Sequence, residues 1–188
     1  MNITRIRLTI ILAGILVAGL ALLAWTQPWF ELVLQGGQPL TVPGQSAVPA
    51  LSALGLASLA LLGALSIAGR AIRVILGVLE SAIGVFTVIV AAGALGNPAA
   101  ASASTITEAT AVSGPMSIAA LIATVGTTAW PWVAIIAGIL TVVVGVGVLV
   151  TGSRWPGPTR RYESAPAEDA GTPAGAWDTL TEGSDPTR

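Results

Sequence analysis

Residues 47–95 read AVPALSALGLASLALLGALSIAGRAIRVILGVLESAIGVFTVIVAAGAL. Two apolar runs, about 47–68 and 74–95, are divided by a short turn that carries Arg70 and Arg73. A helix that crosses a bilayer needs about 20 mostly apolar residues. Each run meets that length, and the arginine turn marks where the chain re-enters water. Two more runs qualify, about 8–25 and 130–152. The expected fold is therefore an all-α, four-helix transmembrane bundle occupying residues 1–153.

The whole composition agrees. Of 188 residues, 54% are apolar and 9% charged, whereas soluble domains carry about 25% charged residues. So few charges cannot cover a water-facing surface, so the lipid bilayer is the expected solvent for most of the chain. The net charge of −1 offers no basic patch for nucleic acid. With no Cys and no His, disulfides, thiol chemistry, common zinc ligand sets and the usual general base are all missing. No metal, no cofactor and no enzyme activity is expected.

Charge placement sets the orientation. All eight basic residues are arginines: Arg5 and Arg7 before the first run, Arg70 and Arg73 between the second and third, and Arg154, Arg160, Arg161 and Arg188 after the fourth. Four crossings put all eight on one face, and the positive-inside rule makes that face cytoplasmic. The expectation is a multi-pass plasma-membrane protein with both termini inside. The first run has the basic start of a signal peptide, but Leu22 at −3 from Ala24 makes a poor cleavage site, so it is read as an uncleaved anchor.

Small residues four apart let helices approach closely in lipid. Ala60, Ala64 and Ala68 share a face of the second run, Gly77, Ser81 and Gly84 of the third, and Ala134 and Gly138 of the fourth. Residues 116–125 are apolar but too short to cross, and follow Gly114-Pro115; they are expected to form a short helix in the second external loop. The loops at about 26–46 and 96–129 hold one charge each, Glu31 and Glu108.

From residue 154 on, prolines and acidic residues replace the apolar pattern, and a disordered cytoplasmic tail is expected. Within it, 176–187 is an island: Trp177 and Leu180, three apart, then Asp185 and Pro186. These four residues are the expected contact for a cytoplasmic protein partner, with Trp177 and Leu180 on one face of a short helix.

Two groups inside or beside the membrane invite a chemical role. Glu80 lies about 10 Å along the helix from Arg73, and intramembrane carboxylates often mark proton or substrate paths. It also fits a hydrogen bond to a Ser or Thr of a neighbouring helix, or an ion pair with Arg70 or Arg73. Trp25 and Trp29 flank Pro28, and Trp130 and Trp132 flank Pro131, all at the external interface. They fit an aromatic belt, or a cage for a flat ligand such as indole if the first and fourth spans are neighbours.

Trp130-Pro131-Trp132, an apolar span, Arg154-Trp155-Pro156-Gly157 and Arg161-Tyr162-Glu163 resemble the C-terminal half of the tryptophan-associated (Trp biosynthesis-associated) membrane proteins of actinobacteria. The ending from Trp177 to Thr187, the Arg-led first span and the Arg70/Arg73 turn resemble that family as well, so the likeness covers essentially the whole chain. Glu80 matches no feature of the family. The resemblance implies an association with tryptophan biosynthesis genes, and a role in tryptophan or indole handling at the plasma membrane. Two readings follow: a non-catalytic scaffold or regulator acting through its tail, or a small transporter or exporter of tryptophan, indole or a related aromatic metabolite. The second requires a homo-oligomer, because four helices enclose little cavity.

Overall fold

The computed structural model describes residues 3–155. Along the chain the elements are α1 (Ile3–Thr26), β1 (Pro28–Leu34), β2 (Pro39–Pro43), α2 (Gly44–Ala47), α3 (Ala50–Ile67), α4 (Arg70–Gly96), α5 (Pro98–Ala101), α6 (Ala103–Thr110), α7 (Pro115–Leu121), β3 (Ile122–Thr127) and α8 (Trp130–Thr151), closed by a 3-10 turn, Gly152–Arg154. Four of these helices, α1, α3, α4 and α8, are long and apolar enough to cross a membrane. The four-span architecture read from the sequence is the one observed. The tail residues Trp177, Leu180, Asp185 and Pro186 lie outside the described residues.

The tightest helix pair is α4 with α8. Gly77, Ser81 and Gly84 of α4 meet Gly138, Val142 and Gly145 of α8. A Cβ added to Gly84 would lie 2.6 Å from the Val142 nitrogen and 2.7 Å from the Gly138 oxygen, so the two backbones touch directly. This is the close approach that small residues permit in lipid, where dispersion replaces the hydrophobic effect between helices. Helix α1 packs beside both α3 and α8. On the second span the expectation from small residues holds at Ala68, which is buried just past the end of α3, and not at Ala60. The buried face is Leu51, Gly55, Ser58, Leu62 and Leu65, while Ala60 is exposed and Ala64 only half-buried. A helix that is apolar all round carries no amphipathic signal to say which face meets protein and which meets lipid.

The loops depart further from an all-helical reading. Among the described residues, β1, β2 and β3 form one antiparallel sheet of order β2-β1-β3. A hairpin joins β1 to β2, turning where Gly37 takes φ +76° and its N–H donates to Leu34 O at 2.8 Å. The third strand comes from the other loop. The sequence leads one to expect a single short helix over 116–125; instead α7 ends at Leu121 and the chain continues as β3. Ile122, Thr124, Val125 and Thr127 are β-branched and suit a pleated strand once β1 offers its edge.

The burial of β1 alternates, with Phe30, Leu32 and Leu34 inward and Glu31 and Val33 outward. Phe30 and Leu32 share one apolar cluster with Val42, Ala24, Leu51, Ala91, Ala94 and Ala134. The helix residues of that cluster lie in the outermost turns of α1, α3, α4 and α8. The sheet therefore lies across one end of the bundle, and Arg7, Arg70 and Arg73 lie at the other.

Candidate functional site

Arg7, Arg70 and Arg73 sit at helix starts, the first near the beginning of α1 and the others in the first turn of α4. A cation is unfavourable there, because the N-terminal end of a helix carries partial positive charge. The fold resolves this by aiming each arginine at the C-terminal end of another helix, where the last carbonyls lack intrahelical donors. Arg7 Nη2 donates to Ser66 O, in the last turn of α3. Arg70 donates to Ser153 O through Nη2 at 2.7 Å and Nε at 3.2 Å. Arg73 Nη1 donates to Trp155 O at 3.1 Å and Gly152 O at 3.3 Å.

Trp155 completes the arrangement. It is 4% exposed, with the Arg73 guanidinium carbon 5.6 Å from its ring centroid and that of Arg7 at 6.0 Å. Its Nε1 donates to Thr151 Oγ1 at 3.1 Å. Cation–π attraction is worth about 0.5–1 kcal/mol when exposed and about 2 when desolvated. Trp155 packs with Leu62, Leu65, Ala68, Leu76, Val144 and Val148 in a second apolar cluster. The start of the chain, the α3–α4 turn and the end of α8 are thus fastened together around one indole. In the sequence, Trp155 stands out only as part of a family motif. The signal that could have found it is an aromatic residue just past a span whose companion segments carry arginine.

Farther into the bundle, Glu80 is 1% exposed and accepts a hydrogen bond from Ser58 Oγ at 2.5 Å. Of the partners considered for Glu80, the structure supplies the hydroxyl of a neighbouring helix; Arg70 and Arg73 reach to the end of α8 instead. Glu80 Oε2 has no partner among the described residues. Beside the pair, Leu54, Ala57 and Leu61 of α3 and Leu79, Ile83 and Phe86 of α4 line an apolar groove of about 600 Å³.

At the sheet end, Trp29 is fully buried and its Nε1 donates to Ala24 O at 2.8 Å. Gly44 makes room for it: a Cβ there would come within 2.5 Å of that nitrogen. Trp25 and Trp130 pack, partly buried, against the same cluster, and Trp132 is 59% exposed. Three of the four rings are gathered, but into packed interior, with Trp132 left outside. A separate cleft of about 700 Å³ lies among α5, α6 and α7, with Ser104, Thr107 and Glu108 on its wall.

The chain belongs to the tryptophan-associated transmembrane protein family, whose model matches residues 7–187. Neither a curated protein nor a solved structure matches it.

Proposed function

We propose that this member of the tryptophan-associated transmembrane family is a non-catalytic scaffold or regulator. It holds its C-terminal tail at a fixed exit point on the cytoplasmic face of the plasma membrane, for a protein partner connected with tryptophan biosynthesis. The observation that carries this reading is the clasp: Arg7 and Arg73 over the Trp155 ring, with Arg70 and Arg73 on the carbonyls of residues 152–155. Three cations are committed to fastening the last residues before the tail. The tight α4–α8 crossing also fills the space between those helices, which suits an anchor better than a conduit.

The test is a crosslinking pull-down from native membranes with the full chain, a version ending at Ser164, and Trp155→Ala. The reading expects a cytoplasmic protein captured by the full chain, lost on truncation and weakened several-fold by Trp155→Ala. Equal capture by all three refutes it. The second reading, transport of tryptophan, indole or a related aromatic metabolite, draws on the buried Ser58–Glu80 pair. It requires Glu80→Gln to alter tryptophan or indole flux across vesicles, and fails if flux is unchanged.

A further inference from the structure

The two edges of the sheet are not alike. On β2, Pro39 and Pro43 bracket the strand and remove two N–H groups, a usual way to keep an edge from pairing. On β3, Ile122-Ala123-Thr124-Val125-Gly126-Thr127 has no proline and no charge, and residues 123–127 are all exposed. Residues 122–125 face 96–99 across a groove of about 340 Å³, and among the described residues β3 pairs with β1 alone.

The hydrogen-bond pattern identifies the unused groups. Thr128 N donates to Trp29 O at 3.0 Å, and Gln35 N to Leu121 O at 2.9 Å. Between these points Glu31 stands opposite Gly126 and Val33 opposite Thr124. In an antiparallel ladder, bonded pairs alternate with non-bonded ones. Gly126 and Thr124 therefore point their backbone groups at β1. Val125 and Thr127 point theirs away from the sheet, and Ala123 is the extra residue where the register shifts between Val33 and Leu34.

We propose that this edge is the contact between two copies of the chain, joined β3 to β3 in a continuous six-stranded sheet. Setting Val125 opposite its counterpart in an antiparallel pair lets the two exchange both backbone bonds across a twofold axis, with Thr127 of each copy carried beside the bulge at Ala123 of the other. The axis of such a pair stands normal to the sheet. Because the sheet lies across the ends of the four spans, in one cluster with Ala24, Leu51, Ala91, Ala94 and Ala134, that normal runs along the bundle. Two copies inserted in a membrane in the same sense can be related only by a twofold of that kind. Charge does not oppose the contact. The acidic group on the sheet is Glu31 of β1, and three strand spacings put the two copies of it about 14 Å apart, beyond the ~8 Å Debye length at physiological salt.

The chain has no cysteine, which makes the test direct. In the full chain in native membranes, Val125→Cys is compared with Thr41→Cys on the proline-guarded edge, under mild oxidant. Bonded antiparallel neighbours lie about 5.5 Å apart between Cα atoms, within disulfide reach. The proposal expects a disulfide-linked dimer from Val125→Cys, several-fold above Thr41→Cys. In a second arm, Val125→Pro removes an outward N–H while leaving the bonds to β1. The chain reconstituted in nanodiscs should go from two copies per disc to one, with helical circular dichroism unchanged. Equal crosslinking at both edges, a wild-type chain that is monomeric in the bilayer, or a dimer that survives Val125→Pro overturns the proposal. A monomeric chain that acquires an extended segment of another protein along β3 would also overturn it.

Discussion

Replacing Gly145 with alanine should loosen the bundle far more than the same change two residues further along α8. The new Cβ would meet Ser81 Oγ, and would lie 2.6 Å from Ser81 N and 2.8 Å from Gly77 O. Ordinary contact begins at 3.4 Å, so α4 and α8 must separate by about 0.8 Å. A gap of that size forfeits about a quarter to a half of the dispersion energy of each contact it opens. Overpacking typically costs about 1–3 kcal/mol, and the upper end applies because the atoms met include backbone, which cannot rotate aside. Against about 3 kcal/mol lost stands about 1 kcal/mol gained from the better helix propensity of alanine. The net of about 2 kcal/mol is roughly a 30-fold fall in the folded-to-unfolded ratio. Gly147→Ala is the matched control, since its Cβ would only touch Ile10 Cδ1 at 3.7 Å. Both variants gain the same propensity, so their difference isolates the crossing. The assay is unfolding of the purified chain in mixed micelles by titration with SDS, followed by circular dichroism. Equal midpoints for Gly145→Ala and Gly147→Ala would refute the claim that α4 and α8 are held by backbone contact.

The Ser58–Glu80 hydrogen bond should show a coupling energy of about 0.6 kcal/mol, the average for such bonds inside membranes, and no more than about 1.7 kcal/mol. A double-mutant cycle of Ser58→Ala and Glu80→Gln under the same SDS titration checks it, and strictly additive effects would mean that the two side chains do not interact. Among the tryptophans at the sheet end, Trp29→Ala should destabilise by about 3–5 kcal/mol because the ring is fully buried. Trp132→Ala, at 59% exposure, should cost well under half of that. An equal loss at both positions, again read from the SDS midpoint, would mean that the sheet end is not packed around Trp29.

The spans are legible in the sequence because bilayer thickness imposes one length on every crossing, and the arginines mark the turns at one end. The α4–α8 contact is legible in part, since Gly77, Ser81, Gly84 and Gly138 stand at the spacing that brings helices together. The sheet is not. Strands β1 and β3 come from different loops with two spans between them, and neither is a strand without the other. Alone, β1 reads as a loop between Pro28 and Gly36-Gly37, and β3 as the continuation of an apolar stretch that begins as helix. Glu80 is visible as a charge out of place, but its partner Ser58 is one hydroxyl among several. Trp155 is hidden by its neighbours in sequence, Pro156 and Gly157, which make the region look like the start of a tail.

Arg73 separates two explanations for one residue. Topology asks only for positive charge at the α3–α4 turn, and lysine would serve as well as arginine. The clasp asks for more. Arg73 is 2% exposed, its Nη1 reaches two carbonyls, and its guanidinium lies over the Trp155 ring. A planar, weakly hydrated guanidinium suits that position, and a compact, strongly hydrated ammonium does not. Arg73→Lys should therefore leave the membrane orientation unchanged while lowering stability by about 1–2 kcal/mol, the worth of one desolvated stacking contact. Orientation is read by thiol labelling of single-cysteine reporters, Thr41→Cys at one end and Ser153→Cys at the other, and stability by the SDS midpoint. A variant with unchanged midpoint and unchanged labelling would reduce Arg73 to a topological charge. The fixed exit point proposed for the tail would then lose its main support, because Arg7 alone would remain over the Trp155 ring.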